Sequence, residues 1–120
     1  MKTNVTEQDG VAIITISGKM VGGPDTGELD EKLYALLGRG VKLAVIDLTR
    51  CEWINSSGLS ILIFHYKKFR DVGGELALAS LDGKVYRIMI ISRLTEVFRV
   101  FNSVAGAMKG LLTPVAALPT

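Results

Sequence analysis

The sequence predicts an α/β domain: a mixed β-sheet of about five strands with about four helices packed mainly on one face, in the order β-β-α-β-α-β-α-β-α. Three observations carry this reading. Two β-forming runs, residues 3–8 and 11–16, flank Asp9-Gly10, a tight-hairpin dipeptide, so the chain opens with two antiparallel strands. Residues 43–48 are apolar at both parities except Asp47, as expected of a central strand covered on both faces. From Ser56 onward, Leu59, Leu62, Ile63, Tyr66 and Phe69 recur at three- and four-residue intervals, which defines a long helix with a broad apolar face.

The elements follow in order. After Gly18, Val21-Gly22-Gly23-Pro24 breaks the chain, and Asp25 is expected to cap a first helix over residues 26–37, with Leu29, Leu33, Leu36 and Leu37 on one face. Gly38 and Gly40 end that helix, and the central strand runs to Leu48, with a loop from there to Asn55. The long helix spans Ser56 to about Val72 and stops at Gly73-Gly74; residues 75–79 make the next strand, closing a strand–helix–strand unit. Asp82 is placed to cap a short helix to about Ser92, residues 95–101 to pair as the last strand, and Asn102 to cap a final helix to about Leu111. The domain is expected over residues 1–112, with a poorly ordered, Pro-bracketed tail over residues 113–120.

Composition narrows the function classes. A chain of 120 residues, 48% hydrophobic, supports one domain with a real core. Fourteen basic against twelve acidic residues leave a net charge of +2, and the basic residues are scattered, so a nucleic-acid partner is not expected. Lys67, Lys68 and Arg70 read as a solvated helix face. Cys51, the single cysteine, has neither a disulfide partner nor a metal-ligand set beside it, so no metal is expected and a reducing cytoplasm is the natural compartment. Residues 1–9 are polar, unlike a secretory signal, and the longest apolar runs fall far short of the roughly 20 residues that span a bilayer, so no membrane association is expected.

Catalysis finds little support. Ser56, His65 and Asp47 are the ingredients of a hydrolytic triad, but nine residues of one helix separate Ser56 from His65 by about 13 Å of rise and about half a turn. His65 is then expected on the helix surface. There is no phosphate-binding or dinucleotide-binding glycine loop, so no cofactor is expected, and the chain reads as a non-enzyme. Trp53 and Ile54, just ahead of the serines, either plug the end of the core or, in the case of Trp53, offer an exposed aromatic anchor to a partner. Capping alone accounts for Asn55, Ser56 and Ser57. The same helix N-terminus favours negative charge, so a phosphate on Ser56 would land where the fold tolerates an anion.

The segment from Ile46-Asp47-Leu48-Thr49 through Ile54-Asn55-Ser56-Ser57-Gly58-Leu59 resembles the signature of STAS domains, specifically the bacterial anti-sigma factor antagonists. Gly18, Tyr66-Lys67-Lys68 and Gly73-Gly74-Glu75-Leu76 also look like family positions. STAS domains also form the cytoplasmic tails of sulfate transporters, but the lack of a long apolar run favours the free-standing kind. The resemblance implies a phosphorylation-controlled binding module. Its unphosphorylated form would bind an anti-sigma factor that is also a serine kinase of the histidine-kinase-like ATPase superfamily, freeing a sigma factor; a PPM-type phosphatase would reset it. By position the acceptor is Ser56, with Ser57 the weaker candidate. The partner-binding set is Asn55, Ser56, Ser57 and Gly58 with Trp53, Val21 and Gly22.

Two family acids are missing: Asn55 stands for the usual Asp before the serine, and Val21 stands where another Asp is usual. Asn and Asp cap helices comparably, so Asn55→Asp is expected to leave stability unchanged. The alternative function is a constitutive STAS scaffold or subunit, as in stress-sensing or lipid-transport assemblies, with Ser56 serving only as a cap.

Overall fold

The structure is a computed structural model that describes residues 1–81 and 83–113, with Asp25 described in its backbone only. Five strands lie in the order β1-β2-β3-β4-β5. They are β1 (Lys2–Gln8), β2 (Val11–Met20), β3 (Leu43–Ile54), β4 (Glu75–Ala79) and β5 (Val100–Phe101). β1 runs antiparallel to β2, whereas the β2–β3, β3–β4 and β4–β5 pairs are parallel. The hairpin turns at Asp9 and Gly10, both at positive φ (54° and 81°), the backbone that a two-residue turn of this hand requires. Four helices, α1 (Pro24–Gly38), α2 (Ser56–Asp71), α3 (Gly83–Ile91) and α4 (Val104–Leu112), and a 3₁₀ turn at Leu94–Glu96 complete the described chain.

The period of two in the strands sorts the core onto two faces. Ala12, Ile14 and Ile16 of β2, Ala44, Ile46 and Leu48 of β3, and Leu76 and Leu78 of β4 point to the face that carries α1, α2 and α3. Leu29, Leu33 and Leu36 of α1, Leu62 and Phe69 of α2, and Val85 and Met89 of α3 close over them. The opposite face, Val11, Val45, Ala77 and Ala79, is covered by Ala107, Met108 and Leu111 of α4.

Several boundaries differ from the sequence reading, each for a local reason. β3 continues six residues past Leu48 because it stays paired with β2 as far as Met20–Ile54, and two register shifts each add a residue to it, between the pairs Thr15–Asp47 and Ser17–Arg50 and again between Gly18–Cys51 and Lys19–Trp53. Each bulge breaks the in–out alternation, leaving Thr49-Arg50 and Glu52-Trp53 as exposed doublets where a strand pattern would alternate. Asp47 braces the first bulge: its Oδ1 accepts from the Thr49 N–H at 3.1 Å and the Thr49 hydroxyl at 2.6 Å. Asp25 does not cap α1; the cap position is Gly23, and Pro24 starts the helix, where its missing N–H costs nothing. Ser103, not Asn102, caps α4, accepting from the Gly106 N–H at 3.0 Å. The last strand is only two residues, because residues 94–96 form the 3₁₀ turn instead. The expected cap at Asp82 and most of the expected tail, residues 114–120, lie outside the described residues.

His65 is the clearest correction. It is buried, with 0% of its side chain exposed, not on the helix surface. Its Nε2–H donates to Asp30 Oδ1 of α1 at 2.6 Å, and the Tyr34 and Phe64 rings stand edge-on to it at 4.9 and 5.2 Å between centroids. The imidazole is thus a polar bolt between α1 and α2, turned away from Ser56.

Two outcomes test this packing. Leu62→Ala should cost about 2–5 kcal/mol in denaturant unfolding, as a truncation at a fully buried contact between α2 and the sheet. Asp30→Ala should cost about 1–3 kcal/mol, because it leaves the buried Nε2–H of His65 without its acceptor; a loss below about 0.5 kcal/mol would show that the pair holds nothing together.

Candidate functional site

The site is built where β2 and β3 outrun their neighbour. β4 pairs with β3 only as far as Asp47, so residues beyond it extend as a two-stranded ribbon of β2 and β3. The ribbon ends with Met20 opposite Ile54, both buried, and α2 starts two residues beyond Ile54. Gly58, in the first turn of α2, lies directly on this pair. A Cβ there would come within 2.6 Å of Met20 Sδ and 3.0 Å of Ile54 Cγ2, so the absence of a side chain lets the helix N-terminus sit down on the ribbon.

Asn55 joins three segments at this point. Its backbone N–H donates to the Met20 carbonyl at 3.0 Å. Its side-chain Oδ1 accepts from the Gly58 N–H at 3.1 Å, the cap expected from sequence. Its Nδ2 donates to the Val21 carbonyl at 2.8 Å, a bond that sequence reasoning missed because its partner is 34 residues away in the β2–α1 loop. The next residue, Gly22, has φ +95°, and a Cβ on it would lie 3.3 Å from Ser57 Cβ, so the loop passes tightly against the start of α2. An acid at position 55 could still accept from Gly58, but as a carboxylate it has no proton to give Val21. As caps the two residues are alike, but only the amide can also bond the Val21 carbonyl.

The predicted site residues come together around this joint. Ser56 and Ser57 are both exposed in the first turn of α2, and the Ser60 hydroxyl donates back to the Ser56 carbonyl at 2.8 Å. Ser57 faces Gly22. Trp53 lies on β3, not in a loop, and the second bulge leaves it 41% exposed while Ile54 goes into the core. The two residues thus divide the roles left open by the sequence: Ile54 plugs the core and Trp53 faces outward. Val21 is 52% exposed. Val21 and Trp53 line one shallow cavity of about 460 Å³ with Lys19, Glu52 and Lys84, so the loop, the ribbon and α3 share a mixed apolar and charged surface.

Chemically, this arrangement offers a hydroxyl on a helix N-terminus beside an exposed aromatic and aliphatic pair. Unpaired first-turn N–H groups and the helix dipole stabilise negative charge there. Cys51 is buried on the ribbon, its Sγ donating to the Trp53 carbonyl at 3.6 Å, and burial pushes its thiol pKa up, away from the reactive range. No group of three or more His, Cys, Asp or Glu side chains among the described residues is placed to hold a metal ion. No helix among them is long and apolar enough to cross a membrane.

Comparison with known proteins bears on the same features. The sequence profile of the STAS domain matches residues 2–107. A Bordetella bronchiseptica protein named as an anti-sigma factor antagonist, BtrV, is 33% identical over 119 residues, covering 99% of this chain and 99% of its own. The crystal structure of a Thermotoga maritima protein named as an anti-sigma factor antagonist superposes with a TM-score of 0.86 at 20% identity, covering 92% of this chain and 95% of its own. The Bacillus cell fate determinant SpoIIAA in its phosphorylated form superposes with a TM-score of 0.73 at 13% identity, covering 91% and 98%. At these identities the two structures speak for the fold.

The seat of α2 can be tested directly. Gly58→Ala should destabilise the protein by about 1–3 kcal/mol as an overpacking change, since Met20 is itself fully buried and has little room to yield. Thermal or denaturant unfolding checks it, and a neutral result would mean that α2 is not anchored through this contact.

Proposed function

We propose a function from one premise: the chain belongs to the STAS domain family and is homologous to anti-sigma factor antagonists. As such an antagonist it acts by binding, without chemistry of its own, and its partner is an anti-sigma factor. The finer reading is a phosphorylation switch in the cytoplasm. The unphosphorylated chain docks on an anti-sigma factor that is also a serine kinase of the histidine-kinase-like ATPase superfamily, so that the sigma factor is released. Transfer of the ATP γ-phosphoryl group to the Ser56 oxygen, with loss of the hydroxyl proton, ends that complex. A PPM-type phosphatase restores the serine.

One observation carries this reading. Ser56 stands exposed in the first turn of α2, next in sequence to Asn55, whose amide holds the Val21 carbonyl, and Val21 and Trp53 are exposed together on one cavity. A phosphate there adds roughly −1.5 to −2 charge at pH 7. The helix N-terminus stabilises that charge within the free protein. A partner that has packed apolar groups against Val21 and Trp53 must instead desolvate it, which costs several kcal/mol unless the charge is paired. The modification is thus compatible with the fold and incompatible with the complex. Asn55 helps by leaving the helix start free of a neighbouring carboxylate that would repel the incoming phosphate.

The test is incubation with ATP and the kinase encoded nearest to this chain's gene, read by intact mass and phosphosite mapping. The expected result is a gain of one phosphate, mapped to Ser56. Ser56→Ala should abolish the gain and leave affinity for the unphosphorylated-state partner intact. Phosphate mapped to Ser57 or Thr49 would sink the assignment of the acceptor. Tight binding without phosphate transfer would favour a constitutive scaffold instead.

A further inference from the structure

We infer that Asn55 is a positioning residue of the recognition surface: its carboxamide ties the Val21–Gly22 loop to α2, which holds Val21 beside Trp53 next to Ser56. The recognition half of this inference rests on the function proposed above; the positioning half rests on geometry alone.

The argument starts from what each atom of the side chain does. Oδ1 is spent on the Gly58 N–H and Nδ2 on the Val21 carbonyl, so the donor and the acceptor of one amide link the helix to the loop. The loop needs such a link. It contains two successive glycines at positive φ, Gly22 at 95° and Gly23 at 77°, and glycine loses more backbone freedom on ordering than any other residue. Thr26 and Gly27 anchor its far end by donating to the Gly23 carbonyl at 3.0 and 3.1 Å. At its near end the Val21 carbonyl is held by Asn55. Between these anchors, Gly22 lies close enough to Ser57 that any retreat of the loop opens a gap at the start of α2.

Replacing the amide by a carboxylate reverses the sign of the contact. A carboxylate oxygen and the Val21 carbonyl oxygen, both acceptors, would face each other at hydrogen-bonding distance, and the loop would have to move to separate them. The neutral amide is therefore what allows a loop rich in glycine to hold one place. The charged groups that line the cavity beside Val21 and Trp53 are Lys19 of β2, Glu52 of β3 and Lys84 of α3.

The experiment compares the parent chain with Asn55→Asp, which at pH 7 keeps an acceptor for the Gly58 N–H and has no side-chain donor, and Asn55→Ser, whose single hydroxyl on a shorter side chain cannot occupy both the Oδ1 and the Nδ2 positions. Amide hydrogen exchange is measured on the free proteins, and KM and kcat for phosphorylation are measured with the kinase and ATP. At pH 7, exchange at Gly27, whose N–H donates to the Gly23 carbonyl at the far end of the loop, should rise at least about tenfold in both variants, while α2 beyond its first turn stays protected. Lowering the pH should move protection back toward that of the parent in the Asp variant alone, because a protonated carboxyl regains a donor. With the kinase, both variants should raise KM at least about tenfold at pH 7 with kcat little changed, the mark of lost binding and not of lost chemistry.

Equal loop protection in all three proteins would overturn the positioning role. A loosened loop with an unchanged KM would overturn the recognition role. If the parent chain takes no phosphate, the switch reading fails on its own, and the exchange data still decide whether Asn55 positions the loop.

Discussion

The parallel pairing of β2 with β3, carried beyond the point where β4 stops, is the constraint on which the site depends. It delivers Met20 and Ile54 side by side at the tip of the sheet and sets α2 directly above them. The overhang is held without a third strand by the pairs Ser17–Arg50, Gly18–Cys51, Lys19–Trp53 and Met20–Ile54. The two bulges adjust that overhang. Each adds a residue on the β3 side, and the second turns Trp53 outward while the following Ile54 returns to the core. Without the bulges, regular alternation would set the side-chain directions at the end of β3 by parity alone. The backbone irregularity is thus what separates a structural residue from a surface one at adjacent positions.

The helical layer is joined by a polar contact in an otherwise apolar setting. His65 and Asp30 meet at 2.6 Å with His65 fully buried and Asp30 partly open to solvent. Such a pair adds less net stability than apolar groups of the same volume, but it is directional: only one rotation of α1 against α2 brings the two atoms together. The surrounding rings of Tyr34 and Phe64, edge-on to the imidazole, reinforce the same orientation. Because α1 begins immediately after the Val21–Gly22 loop and α2 begins at Ser56, fixing the helices against each other also fixes the two sides of the site.

What could be read from the sequence follows from interaction range. The Asp9-Gly10 hairpin, the extent of α2 and the stop at Gly73-Gly74 depend on residues within a few positions of each other, and all were legible. So was the cap by Asn55 Oδ1, three residues from its donor. The burial of His65 was not, since its partner lies 35 residues away on another helix. The second bond of Asn55 was hidden for the same reason. The length of β3 was obscured differently: its signal was local, but the bulges disrupted the period by which strands are recognised. Pro24 and Ser103 show a third kind of miss, in which two adjacent residues both suit a helix start and only the backbone decides between them.

The back of the sheet has its own consequence. Val11, Val45, Ala77 and Ala79 belong to β2, β3 and β4, yet the helix that covers them, α4, is the last described element of the chain. A ribosome releases the strands and the three front helices first, so those can associate while the rear of the sheet still faces water. Nascent chains with uncovered apolar strands are prone to associate with one another. Among the described residues that cover comes from Ala107, Met108 and Leu111, so protection of the rear of the sheet during synthesis rests on α4.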